Sequence, residues 1–317
     1  PPADSVILTP LGRFGSFAEG FVPSYQETYN LTVEREVAPN LLARASYIGN
    51  LGRRLAYPED ENYARYRPGA TLGNLQTRRP YQDYTSVQQA YYGATSAYHG
   101  LQVSVERRVN NNLSFEANYT WSKAIDQYST DVSPGFGAQP IPFNRKVNQG
   151  VSDFHVPHRM VLSYVWTLPT LSRQPPWVRH ILGGWESSGI GTLQSGRPFS
   201  VTSGVDNSLS GLGTDYADLI GKPHLDMGRS RGEKIAQYFN TAAFAPNAIG
   251  TFGTSPRGVL NGPGLANIDL AVIKSFPVKE RMNVQFRTEF FNTFNRPNFG
   301  NPYNVQRVAA RFGRIES

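Results

Sequence analysis

Between residues 98 and 123 apolar and polar positions alternate with a period of two. Leu101, Val103 and Val105 interleave with Gln102, Ser104 and Glu106. After Asn110, Asn111 and Asn112, the residues Leu113, Phe115, Ala117, Tyr119 and Trp121 interleave with Ser114, Glu116, Asn118 and Thr120. A period of two puts alternate side chains on opposite faces of a strand. The stretch therefore predicts a hairpin with one apolar and one polar face, turning at the asparagines. Each run has about ten residues, the length at which a tilted strand crosses a bilayer.

The same pattern recurs along the chain. Residues 1–24 show no clear element and read as a lead-in. Alternation then predicts strands over about 25–36 (Tyr29, Leu31, Val33) and 41–49 (Leu41, Ala43, Ala45, Tyr47), joined at Ala38–Pro39–Asn40. A further strand covers 158–168, with Met160, Leu162, Tyr164 and Trp166 on one face and a mixed Val161, Ser163, Val165 face. A glycine-rich strand follows over 184–194, which Phe199–Val201 extends. Two more span about 265–276 and 281–294, turning at Pro277–Glu280. The segment 303–317 reads as a tail before a missing closing strand.

Connection lengths alternate: short, long, short, long, medium, long, short. The long ones cover about 50–97, 122–157 and 204–263. Residues near Tyr84–Tyr92 within the first are expected to project beyond the main sheet as strand. Loops beyond about 15 residues are uncommon in compact domains. Outer-membrane barrels supply a reason, with short periplasmic turns and long extracellular loops. In that orientation Tyr47, Trp121 and Phe294 fall near the outer interface and Trp166, Trp185 and Phe276 near the inner one, two aromatic girdles of the kind lipid interfaces favour. The polar positions Arg44, Gln102, Glu106, Glu116, Asn118, Arg287 and Glu289 would line a lumen. Residues 25–302 are thus expected to form part of a barrel wall. Eight strands with the first running inward would leave both chain ends outside the cell, so the expectation is a segment lacking at least one strand on each side.

Composition narrows the alternatives. No run approaches the roughly 18 apolar residues of a membrane helix, and mean hydropathy is −0.42. Neither observation bears against a barrel, whose signal per strand is weak. The chain has no cysteine, which removes thiol catalysis, disulfides and zinc–thiolate sites. The opening PPADSVILTP is not a signal peptide. The net charge of +7 is spread over scattered pairs such as Arg53–Arg54, Arg78–Arg79 and Arg107–Arg108, which argues against a nucleic-acid partner.

Candidate chemistry is sparse. Nucleotide-binding, zinc-protease and hydrolase motifs are missing from the sequence. His155 and His158 bracket Pro157 and lack a third metal ligand. Asp206, Asn207, Asp215 and Asp218 offer oxygen ligands that suit Ca²⁺, although Asp/Asn/Gly stretches are ordinarily turns. No cofactor is implied, and no enzyme.

Several long segments resemble the barrel of Oar-like TonB-dependent outer-membrane receptors: SAYHGLQVSVERRVNNNLSFEANYTWSKAID, FNRKVNQGVSDFHVPHRMVLSYVWTLP, GGWESSGIGTLQSGRPFSVTSG, YFNTAAFAPNAIGTFGTSPRGVLNGPG and RTEFFNTFNRPNFGNP. The resemblance spans most of residues 25–302. It implies an all-β, antiparallel up-and-down transmembrane barrel of about 22 strands, of which this chain holds about eight. It implies a periplasmic plug and energisation by the TonB complex as partners, neither of which this chain contains. A carboxypeptidase-regulatory-like domain, a TonB box and an aromatic-ended closing strand are likewise missing. The expected setting is the outer membrane of a Gram-negative-type bacterium, with lipid and lipopolysaccharide around the wall and an unknown extracellular ligand at the loops. The competing expectation is a secreted all-β adhesin or carbohydrate-binding module that uses exposed Tyr and Trp for stacking.

Overall fold

The structure, a computed structural model, describes residues 10–20, 22–110, 112–129, 141–142, 144–213, 215–279 and 282–316. Nine principal strands follow in order: β1 Leu11–Phe17, β2 Tyr25–Ala38, β3 Leu41–Asp60, β4 Tyr84–Asn110, β5 Leu113–Asp126, β6 His158–Thr167, β7 Trp185–Gln194, β8 Leu265–Lys279 and β9 Met282–Phe290. Strands β2 to β9 pair each with the next, all antiparallel, in one up-and-down sheet. These are the eight wall strands expected from the alternation. Among the described residues β2 and β9 do not pair with each other, so the sheet is an open wall.

Register follows the pattern of side chains. Leu101 stands opposite Trp121, Val105 opposite Ala117 and Glu106 opposite Glu116. A one-residue slip would move every apolar side chain to the other face, so burial against lipid or core specifies register strongly. At the β2–β3 turn Asn40 takes a positive φ of 61°, a conformation asparagine tolerates. Its N–H donates to the Glu36 carboxylate at 2.9 Å. The asparagine hairpin turn includes Asn111, outside the described residues; Asn112, beside it, has φ 84°. Of the expected Pro277–Glu280 turn, Glu280 lies outside the described residues. Pairing continues through Lys279 opposite Met282, so strand extends across most of the expected turn.

Other boundaries also differ from expectation. Strand continues to Asp60 and resumes at Tyr84, so the 50–97 connection shrinks to 61–83. At 27 residues β4 is roughly 90 Å long at about 3.3 Å per residue. Its first half and the end of β3 project past the wall, as expected for Tyr84–Tyr92. Within the lead-in, β1 runs parallel to this projection, Leu11 opposite Tyr84 and Phe17 opposite Ala90. Strand β5 runs to Asp126, shortening the second connection. The third connection spans 195–264. Pro198–Phe199 does not extend β7 but pairs with Leu260–Asn261 in a separate ladder. Strand β9 ends at Phe290, leaving Phe294 in the turn that follows.

The glycines of β7 mark a close approach, as glycine within a strand often does. A Cβ on Gly189 would lie 2.7 Å from the Tyr164 ring and from Leu270.

Among the described residues the buried hydrophobic cluster includes no residue of the wall strands β2 to β9. Leu31 and Val33 are 68% and 65% exposed, and Leu162, Trp166, Val284 and Phe286 are also bare. The hydrophobic core sits instead at the end of the sheet away from the short turns. There Phe199, Val201, Phe239, Phe244 and Leu260 of the 195–264 connection enclose Phe312 and Ile315. Phe239 meets Phe312 edge-on, with centroids 5.1 Å apart. The segment 303–316 is thus built into this cap: Tyr303 N–H donates to Arg314 O, and Ile315 N–H donates to Ile235 O.

Candidate functional site

All seven positions expected to line a lumen lie on one face of the sheet. Their rows follow from the register. Arg44 stands opposite Ser104, which stands opposite Asn118. Glu106, Glu116, Ser163, Ile190 and Asp269 form the next row. Ser46, Gln102, Thr120 and Arg159 form another. Arg287 and Glu289 occupy the same face of β9, opposite Ile273 and Ala271. The charges partner locally. Arg44 lies 2.6 Å from Glu34, Asn118 donates to Glu116 at 2.8 Å, and Arg287 pairs with Glu289. A groove of about 730 Å³ runs over this face, lined by Glu106, Glu116, Ser163, Asp269, Arg287 and Glu289 among others. Its four carboxylates, Glu106, Glu116, Asp269 and Glu289, outnumber its two arginines, Arg107 and Arg287.

The opposite face is mainly apolar through the middle of the wall, with charged and basic side chains such as Arg35, His99 and Lys123 toward its two ends. One row runs Leu31, Tyr47, Leu101, Trp121, His158. Another, further from the cap, runs Val105, Ala117, Leu162, Gly191, Ile268. Trp166, Trp185 and Phe276 lie toward the short turns, with Trp185 edge-on to Phe286 at 6.2 Å. Five of the six girdle positions therefore stand on strands in two groups; Phe294, 71% exposed, stands off the sheet.

Lys274 breaks the apolar pattern, and the structure shows how it is accommodated. Helix α1, Pro176–Leu182, folds over it. The ammonium donates to Gly183 O and to Ile181 O, and lies 5.3 Å from the Trp185 ring and 5.5 Å from Phe276. A cation at a helix C-terminus satisfies carbonyls that have no partner within the helix. Nothing in the local sequence pointed to this arrangement, because lysine and helix are about ninety residues apart.

The loops close into one cap over the wall. Arg78, buried in the 61–83 connection, donates to Leu209 O at 2.8 Å and Arg65 O at 2.9 Å. Ala64 N–H donates to Ser210 O at 2.7 Å. Arg257 reaches from the third connection to Asp126, 2.6 Å away, and to Ser129 and Asp153 of the second. Both Arg257 and Asp126 side chains are 9% exposed.

The four oxygen-ligand candidates do not assemble a cation site. Asp206 accepts from Ser208 Oγ, Ser210 N–H and Gly211 N–H at 2.9, 3.0 and 2.7 Å. Asp215 accepts from Ser208 N–H at 2.7 Å and Asn247 Nδ2 at 2.9 Å. Asn207 donates to Asn247 O, and Asp218 pairs as strand with Ala245. Carboxylates engaged in this way by N–H and O–H donors hold turns together, as Asx turns do. Among the described residues no three His, Cys, Asp or Glu converge as a metal site. Burial raises the Asp215 pKa against those hydrogen bonds. His155 and His158 diverge likewise: His155 Nδ1 accepts from Ala124 N–H at 3.2 Å, while His158 Nδ1 meets the Tyr119 hydroxyl at 2.7 Å.

One polar cluster escaped the sequence. Where β3 and β4 project past the wall, Tyr57 stacks on Tyr91, and the Tyr91 hydroxyl lies 2.7 Å from Glu61 and 2.8 Å from Gln89. Arg145 sits 4.9 Å over Tyr57. Burial, then the charge of Glu61, raises the neighbouring Glu59 to about 7 despite Arg145.

A family model described as an outer membrane beta barrel domain matches residues 2–317. A comparison with curated protein sequences finds no match. Among solved structures, the chain is similar to the outer membrane transporter YddB from Escherichia coli, at 9% identity and a TM-score of 0.49, over 89% of this chain and 30% of that one. It is also similar to the FrpB iron transporter from Neisseria meningitidis (F3-3 variant), at 12% identity and a TM-score of 0.42, over 92% of this chain and 30% of that one.

Proposed function

Because the chain belongs to the outer membrane beta barrel domain family, we propose that it forms part of the wall and surface cap of an Oar-like TonB-dependent receptor. Its apolar face meets lipid and its polar face lines the lumen that a plug from elsewhere in the protein would fill. The cap captures an extracellular ligand, and plug movement driven by the TonB complex admits it. The role is binding and passage, with no bond broken.

One observation carries this reading: a sheet whose two faces differ in polarity along its whole width, bare on the apolar side, with its long connections gathered at one end. Monomeric soluble proteins rarely expose apolar patches beyond a few hundred Å², and a secreted adhesin would have to hold this one in water. In a bilayer the bare face is the stable arrangement, because the six inner strands are paired on both sides and the outer edges of β2 and β9 would pair with further wall strands.

The experiment uses the full-length protein. Purified in detergent, it is titrated with the periplasmic domain of TonB by calorimetry. Saturable binding supports the receptor reading. A correctly folded protein that shows no binding contradicts TonB dependence and leaves an outer-membrane wall of another kind.

A further inference from the structure

A pocket of about 500 Å³ lies on the apolar side of the wall at its capped end. Tyr47, Leu101 and Trp121 are successive members of one cross-strand row and make its apolar part. One row nearer the cap, about 7 Å along the strands, Gly49 stands opposite His99 and His99 opposite Lys123. His155 completes the polar edge from the second connection. An apolar wall, an aromatic row and a basic row thus follow one another in the order a lipid presents chain, interface and headgroup.

The three polar groups are prepared for an anion. The Tyr47 hydroxyl sits 2.9 Å from His99 Nδ1, the two rings stacked, which leaves Nε2 for a ligand. His155 Nδ1 accepts the Ala124 N–H, so its proton resides on Nε2. Lys123 is exposed and has no carboxylate partner among the described residues. The Tyr29 ring lies across Gly49, where any Cβ would collide with it at 2.2 Å, so the absence of a side chain at Gly49 lets the aromatic floor continue beside His99.

We propose that this pocket binds an anionic lipid of the outer leaflet that bears a phosphomonoester, its phosphate held by Lys123 with N–H groups of His99 and His155, its acyl chain lying along Leu101, Tyr47 and Trp121. Charge complementarity and continuity with the bare apolar face select a lipid as occupant. The inference rests on that face meeting the membrane.

The full-length protein is inserted into phosphatidylcholine nanodiscs containing a minority of phosphatidic acid, released, and examined by native mass spectrometry for retained lipid. The wild type should retain phosphatidic acid in preference to phosphatidylcholine. Lys123→Gln combined with His99→Gln should weaken retention about ten- to a hundredfold, the loss of two charge-assisted hydrogen bonds. Arg159→Gln, on the opposite face at similar height, should retain it as the wild type does. Equal retention by the double variant overturns the site. Displacement by millimolar inorganic phosphate overturns the lipid assignment, since the pocket would then read phosphate alone. A protein that fails to insert at all overturns the membrane-wall reading together with this one, whereas insertion without selective retention overturns only this one.

Discussion

Replacing Arg257 by Met should open the cap while leaving the wall intact. Arg257 joins the third connection to the end of β5 through Asp126, 2.6 Å away, with both side chains nine-tenths buried. It also donates to the backbone oxygens of Asp126 and Asn148 at 3.2 and 3.4 Å. Its contact with Asp153 is longer, 3.5 Å, and that carboxylate is half-exposed, so it adds little. Methionine preserves volume but leaves Asp126 as a buried charge without its cation. Breaking one side of such a pair costs about 3–5 kcal/mol, or roughly a hundredfold or more in the equilibrium for cap opening. Limited proteolysis of the membrane-inserted protein reports that equilibrium when reclosing outpaces cleavage. Cuts within residues 195–264 should accelerate by that factor, while the heat-modifiable migration of the folded barrel stays unchanged. Asp126→Asn combined with Arg257→Met should recover much of the loss, because the stranded charge is gone. A cleavage rate within threefold of wild type, or a double variant no better than the single, would refute the reasoning.

Three further outcomes are expected. Leu162→Arg places a charge midway between the Trp121 and Trp166 rows and should destabilise the folded barrel by about 2–4 kcal/mol in liposome refolding titrations, whereas Ser163→Arg, on the polar face, should change it by no more than about 0.5 kcal/mol. Phe239→Ala removes the ring at the centre of the cap core, 1% exposed, and should cost the cap about 3–5 kcal/mol, read as faster proteolysis at the cap alone. Glu59 keeps its proton up to about pH 7 in the folded chain, above its ordinary value of 4.5; that contribution is fully present below pH 4.5 and is lost as pH rises through 7. Glu59→Gln should therefore protect the β3–β4 projection against protease at pH 8 relative to wild type by roughly 1–2 kcal/mol, discounted for its partial exposure, and not at pH 4; equal protection at both pH values would contradict the linkage.

The wall was legible because lipid and water impose opposite polarity on neighbouring residues. Alternation through Leu101–Val105 and Leu113–Trp121 separated the two sets of side chains that the register puts on opposite β4–β5 faces, and Arg44, Gln102 and Arg287 share one face by the same period. That signal ends where the strands leave the bilayer. Beyond Gly52 a register shift intervenes and Arg54 takes a φ of 53°. Tyr57, Pro58 and Asp60 are all buried there without alternating, so a strand read as loop. Phe294 was read as strand because its aromatic spacing continued past Phe290, while the structure turns at 291–294. The cap was invisible for another reason. Phe199, Phe239 and Phe312 meet across more than a hundred residues with no period to connect them. Asp206 and Asp215 looked like ligands because sequence shows the carboxylates and not the N–H groups that engage them.

The central claim is that one face of this sheet meets lipid and the other water. The chain has no cysteine, so spin labels can be placed singly along β5 of the membrane-inserted protein, from Phe115 to Thr120, and their collision rates with oxygen and with a water-soluble nickel chelate measured. The account predicts that labels at 115, 117 and 119 collide with oxygen and are shielded from nickel, and that labels at 116, 118 and 120 do the reverse. Accessibility that does not alternate, or alternates in the opposite phase, would contradict it.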